Sequence, residues 1–197
     1  MALLTVFFTA MIYASLKTIP AWHSKMTVVG YLVLALMSGA MLMALLTMLW
    51  GYDGAGLFSI IALVFVLLGL GVKLLYWARL AGKKITSTAG SATGLADFGA
   101  VTLVESPHST DNYLLEEMGF KIARKHAAKL RKIAVLFGFL TPILLLGLAI
   151  MLENSSLQIV LLFAGVMLGG IGLVVERWLF FAEAKHVVTL YYGEHAI

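Results

Sequence analysis

The stretch LQIVLLFAGVMLGGIGLVVERWLFFAEAKHVVTLYY, residues 157–192, decides how the chain must be read. Leu157 to Val175 carry no charge; Glu176, Arg177 and Trp178 then arrive together before the apolar character resumes at Leu179. A soluble helix this long needs a polar stripe along one side. Hydrocarbon accepts such a run, and it tolerates ionisable groups only at an interface, in a water-filled cavity or against a protein partner. At about 1.5 Å per residue the uncharged run covers about 28 Å, which puts Glu176 and Arg177 near the boundary of a hydrocarbon core roughly 30 Å thick. Neighbouring helical residues point about 100° apart, so the two are expected to seek partners elsewhere, with Arg177 reaching headgroups or an adjacent helix. The segment beyond them is expected to leave the hydrocarbon or run along its surface, with Glu183 and His186 sharing a face.

The rest of the chain repeats the pattern. Of its 197 residues 61% are hydrophobic and 12% charged, and the mean hydropathy is +0.99. The apolar residues fall in long runs between short polar segments, without the alternation of barrel strands. The expected fold is all-α, a polytopic transmembrane helix bundle of about five spans plus a cytoplasmic amphipathic helix, in a single membrane domain. The spans are read at about 2–15, 27–50, 57–79, 133–152 and 157–180, with a cytoplasmic loop and amphipathic helix over 82–132.

The first span would cover only about 22 Å, so either that helix is partial or the chain is the C-terminal portion of something longer. Small residues Ala35, Gly39, Ala40 and Ala44 in the second span, and Gly165 with Gly169 in the last, predict close helix packing. Pro142 predicts a kink near Gly138. Lys73, about one and a half turns short of its helix end, is expected to snorkel to the headgroups. GYDGAG (51–56) and ENSS (153–156) read as tight turns.

Residues 82–109 read as an irregular loop, with a possible short strand at Val101 to Val104. Thr110 or Asp111 then begins a helix over about Asn112 to Leu130, in which Glu116 and Glu117 suit the N-terminal end. Lys121, Arg124, Lys125, Lys129, Arg131 and Lys132 crowd its second half, and Leu115, Met118 and Ile122 give it an apolar side, so it is expected to lie on the membrane surface. Alternating the connectors across the bilayer collects all fourteen basic residues towards one side. By the positive-inside rule that side is the cytoplasm, with the C-terminus facing it.

The chemistry is bounded by what is present. There are no cysteines, so this chain can hold no disulfide, thiolate metal site or iron–sulfur cluster. The five histidines lie near the cytoplasmic side, which weakens the case for haem ligation within the bundle. No nucleotide-binding, hydrolase or zinc-protease motif is found, and no metal site or nucleic-acid partner is expected. Tyr13, Trp22, His23, Tyr76, Trp77, Glu176, Arg177, Trp178 and His186 gather at one boundary. They could form a slot for a quinol headgroup or an ordinary aromatic belt with snorkelling charges, and on residues alone the belt is the default.

Three segments narrow this further: TAMIYASLKTIPAWHSKMT (9–27), SPHSTDNYLLEEMGFKIARKHAAKLRKIA (106–134) and ERWLFFAEAKHVVTLYYG (176–193). They resemble the DmsC-type anchor subunits of dimethyl sulfoxide reductase-like molybdoenzymes. The matching positions are Tyr13, Trp22 and His23, then Arg124, Lys125 and His126, then Glu176, Arg177, Trp178, Glu183 and His186. The resemblance implies a subunit of the bacterial cytoplasmic membrane that holds a molybdopterin catalytic subunit and a ferredoxin-like iron–sulfur subunit. It implies electron passage between those clusters and the quinone pool, menaquinone or ubiquinone, with no cofactor bound by this chain itself. Family anchors look like eight-helix proteins whose quinol site is ascribed to the N-terminal helices, and this chain supplies about the last five. No quinol-site histidine carries over, because no position here matches that region; the quinone-site or interface candidates, from the matched motifs and the boundary residues, are Tyr13, Trp22, His23, Glu176, Arg177, Trp178 and His186. Docking candidates for the iron–sulfur subunit are Lys121, Arg124, Lys125, His126, Lys129 and Arg131. Either direction of catalysis suits such an anchor, reduction of an oxide or oxidation of a substrate such as sulfite. The alternatives are a small membrane transporter, or a truncated anchor fragment without its own quinone site.

Overall fold

The computed structural model describes residues 1–82, 87–102, 104–105 and 120–192. The expected strand at Val101 to Val104 finds no regular structure at Val101 and Thr102. The expected helix start at Thr110 or Asp111, with Glu116 and Glu117, lies outside the described residues.

Helices dominate, as the apolar runs require: α1 (Ala2–Ala14), α2 (Lys25–Leu49), α3 (Ala55–Ala81), the short α4 (Ala89–Thr93) and α5 (Lys121–Lys125), α6 (Ala127–Met151) and α7 (Ser155–Ala182). A 3-10 turn over Val187–Tyr192 follows α7. Four of these, α2, α3, α6 and α7, are long and apolar enough to cross a membrane. They close a four-helix bundle in which α2 packs on α3 and α7, and α6 on α3 and α7, while α1 lies outside against α2. Leu67, Leu68, Leu74, Leu144, Val160, Phe163 and Val174 point outward, the distribution expected when the surrounding solvent is as apolar as the core.

Small residues and sulfur fill the middle of the bundle: Met37, Met41, Ala44, Ala62, Val66, Phe139 and Leu162 form one buried cluster. In α7 the buried positions Leu162, Gly165, Gly169, Gly172, Glu176 and Leu179 recur every three or four residues. The tightest approach is between Gly172 and Gly138, where a Cβ on Gly172 would overlap the Gly138 backbone. Gly169 meets Met41 and Pro142, while Gly39, one of the small residues singled out in α2, has open space around it.

Gly138 is held by a π turn over Leu136–Leu140, closed by the Thr141 N–H donating to the Leu136 carbonyl. Pro142 lacks the N–H that would bond four residues back and its ring crowds that carbonyl, so one wider turn relieves both. The turn between α2 and α3 is a Schellman closure: Gly51 N–H donates to Met48 and Tyr52 N–H to Thr47, with Gly51 at φ 63°, where glycine carries no Cβ penalty. Asn154 caps α7 through the Leu157 N–H, and the Gln158 amide donates to the Ala149 and Leu152 carbonyls at the end of α6.

The basic region departs from expectation. The helix foreseen over Asn112 to Leu130 is interrupted at His126, and the fourth span begins at Ala127 instead of Ile133. Lys129, Arg131 and Lys132 thus ride on the first turns of the spanning helix itself. Their long stems allow this, because the charged heads extend back towards the headgroup level.

Candidate functional site

The chemistry-bearing residues converge at the basic end of the bundle. On α3 the buried stripe Ser59, Ala62, Val66, Gly69, Lys73 and Tyr76 continues the three-four spacing straight through a lysine. The stripe on α7 does the same through Glu176. The two stripes face one another, and Lys73 and Glu176 form an ion pair at 4% and 0% exposure. Snorkelling is thereby ruled out for Lys73: its register points it inward, where a carboxylate waits.

Arg177 also contradicts expectation. Its Nε donates to Glu176 Oε2 at 2.6 Å and its Nη2 to Oε1 at 2.9 Å. The Cβ vectors of adjacent residues diverge, yet the long arginine stem folds back and presents its planar fork to both carboxylate oxygens. The guanidinium carbon then lies 4.7 Å from the Tyr31 ring centroid and 4.9 Å from that of Phe180. Lys73 Nζ is likewise 4.3 Å from the Tyr76 centroid and 4.8 Å from that of Trp77. Cations desolvated against aromatic faces recover part of their hydration energy through the ring quadrupole.

Around this cluster Tyr13 stacks on Tyr31, and Trp22 stacks on Phe180 at 5.5 Å. Trp22 Nε1 donates to the Phe180 carbonyl at 2.8 Å, and Tyr76 Oη to the Ala21 carbonyl. His186 meets the Trp22 ring edge-on at 5.4 Å, and burial, then the Arg124 charge, pull its pKa below the ordinary histidine value. Two of the candidates stand apart. His23 is exposed, with Nδ1 donating to the Ala14 carbonyl. Trp178 is 43% exposed on the outer face of α7.

The docking candidates divide in two. Arg124 donates from Nε to the Ala182 carbonyl and from Nη2 to that of Ala184, so it caps the end of α7. Arg131 Nε donates to Glu183 Oε1 at 2.6 Å. Glu183 and His186, expected to share a face, turn to different neighbours, Glu183 to Arg131 and His186 to the Trp22 ring. Lys125, His126 and Lys129 remain exposed on the outside, and the side chain of Lys121 lies outside the described set. Among the described residues no cluster of metal-ligating side chains occurs.

Beside the charge cluster is a crevice of about 10 Å³, lined by Met26, Thr27, Gly30, Leu34, Gly69, Val72, Lys73, Tyr76, Arg177 and Phe180. That is room for about one water. The donors would suit a quinone carbonyl, but a six-membered ring does not fit in this arrangement.

The DMSO reductase anchor subunit (DmsC) family model matches residues 1–193. The chain belongs to the DmsC family. It is also 32% identical over 184 residues to a sulfite dehydrogenase subunit from Allochromatium vinosum, a match covering 93% of this chain and 55% of that protein. This DmsC-family chain thus spans about half the length of the curated relative it matches. No solved structure matches it. Sequence reading brought Tyr13, Trp22, Glu176, Arg177 and His186 forward and overlooked Tyr31, Phe180 and the inward role of Lys73. The signal for Lys73 was there in the unbroken stripe from Ser59 to Tyr76.

Proposed function

We propose that the chain is a membrane anchor subunit of a molybdopterin oxidoreductase complex in the bacterial cytoplasmic membrane. It tethers a molybdopterin catalytic subunit and a ferredoxin-like iron–sulfur subunit, and in the assembled complex links them to the quinone pool. The observation that carries this reading is the DmsC family match across almost the whole chain. One-sided charge supports it: Lys125, Lys129 and Lys132 stand exposed at the end to which the short α5 and the C-terminal segment also belong. An acidic soluble subunit would meet lysines there that pair with no carboxylate among the described residues.

The one-water crevice favours a division of labour, with the quinone ring received elsewhere in the complex. The test is co-expression of the chain with its iron–sulfur and molybdopterin partners. The expected result is that both partners fractionate with the membrane in its presence and are soluble in its absence. Purification of the chain alone from such cells would defeat the reading, and substrate uptake by the reconstituted chain alone would favour a transporter instead.

A further inference from the structure

The charge cluster is not neutral. Lys73 and Arg177 contribute two positive charges and Glu176 one negative, and no other carboxylate pairs with them among the described residues. The surplus cation lies at a partly exposed Arg177 set against the Tyr31 and Phe180 rings, which offset only part of its charge. One donor is also left over: Arg177 Nη1 is buried and has no hydrogen-bond partner. Arg177 lines the one-water crevice, and half-buried Gly30 and Val72 bring that crevice to the bundle surface.

Depth supplies the next constraint. Helices α3 and α7, of 27 and 28 residues, are about 40 Å long and overrun a roughly 30 Å hydrocarbon core. Arg177 lies five residues before the last residue of α7, Ala182, or about 8 Å from its end. That is the level where hydrocarbon gives way to lipid phosphates. A second crevice, sharing Met26 and Tyr76 with the first, continues past Ser24 towards Arg79. Arg79 is exposed and makes no ion pair among the described residues.

We propose that these two adjoining crevices form a binding site for the phosphate headgroup of an anionic phospholipid. One non-bridging phosphate oxygen enters the first crevice and accepts from Arg177 Nη1. The remainder of the headgroup follows the second crevice towards Arg79, and the acyl chains lie on the outer faces of the helices. The size of the first crevice selects this chemistry, because a single anionic oxygen enters where a ring cannot. The surplus positive charge selects an anionic headgroup over a zwitterionic one.

The test is native mass spectrometry of the full chain exchanged into micelles containing equal phosphatidylglycerol and phosphatidylcholine. The expected result is one phosphatidylglycerol retained per chain in preference to phosphatidylcholine, with Arg177→Gln weakening retention by about tenfold, as loss of one charge-assisted hydrogen bond implies. Gly30→Leu is the second variant, because a Cβ at Gly30 meets open space and leaves every charge in place. It should fold and, by filling the crevice mouth, release the lipid to a similar degree. Lys129→Gln, away from both crevices, should keep it. Equal retention of the two lipids, retention by the Gly30→Leu variant, equal loss in the Lys129→Gln variant, or displacement of the lipid by decylubiquinone would each overturn the proposal.

Discussion

Lys73 and Glu176 show how a single register decides whether a charge is a surface anchor or a core element. Each occupies the next position of a buried stripe, so moving either by one residue would turn it out towards lipid. Removing one partner from a buried pair strands the other charge, and that loss typically exceeds what the pair itself contributes. Glu176→Gln should therefore destabilise the chain by roughly 3–5 kcal/mol, because it leaves the Lys73 and Arg177 cations together without a carboxylate. Adding Lys73→Met should recover part of that loss, because it removes one of the two unpaired cations while the amide oxygen still accepts from Arg177. Unfolding of the two variants in detergent, followed by circular dichroism, measures both. Additive losses in the double variant would show that the two side chains are not coupled.

The helices themselves were legible in the sequence because each span is a long uninterrupted apolar run, and the inter-helix turns because Gly51 and Asn154 announce them. The partner of each helix face was not. Hydropathy is nearly uniform around such helices, so only the small-residue spacing tells inside from outside, and that spacing pointed to Gly165 and Gly169. The decisive contact, Gly172 on Gly138, depends on the π turn before Pro142, whose local geometry no spacing rule contains. Gly172→Ala should force α6 and α7 apart at a cost of about 1–3 kcal/mol. Gly170 has open space at its Cβ, so Gly170→Ala should be neutral or stabilise by up to about 1 kcal/mol through helix propensity. A thermal-unfolding comparison of the two variants isolates packing from propensity, and equal shifts would deny the glycine contact its role.

At the scale of the whole molecule, the basic end is closed by segments distant in sequence. The loop after α1 packs Trp22 on α7, Arg124 caps α7, Arg131 holds Glu183, and the Val187 N–H donates to the Thr18 carbonyl. His186 sits in that closure between the Trp22 ring and the Arg124 charge. Its folded-state pKa lies below the unfolded value near 6.5, since burial and then Arg124 disfavour the imidazolium. The unfolded chain therefore takes up a proton before the folded chain does, so the contribution of His186 is fully present above about pH 6.5 and is lost as the pH falls below it. His186→Phe keeps an aromatic edge against Trp22 and removes the titration. Melting temperatures across roughly pH 7.5 to 5.5 should fall more steeply for the natural chain than for that variant. Parallel profiles would mean that the closure of the basic end does not depend on a neutral His186.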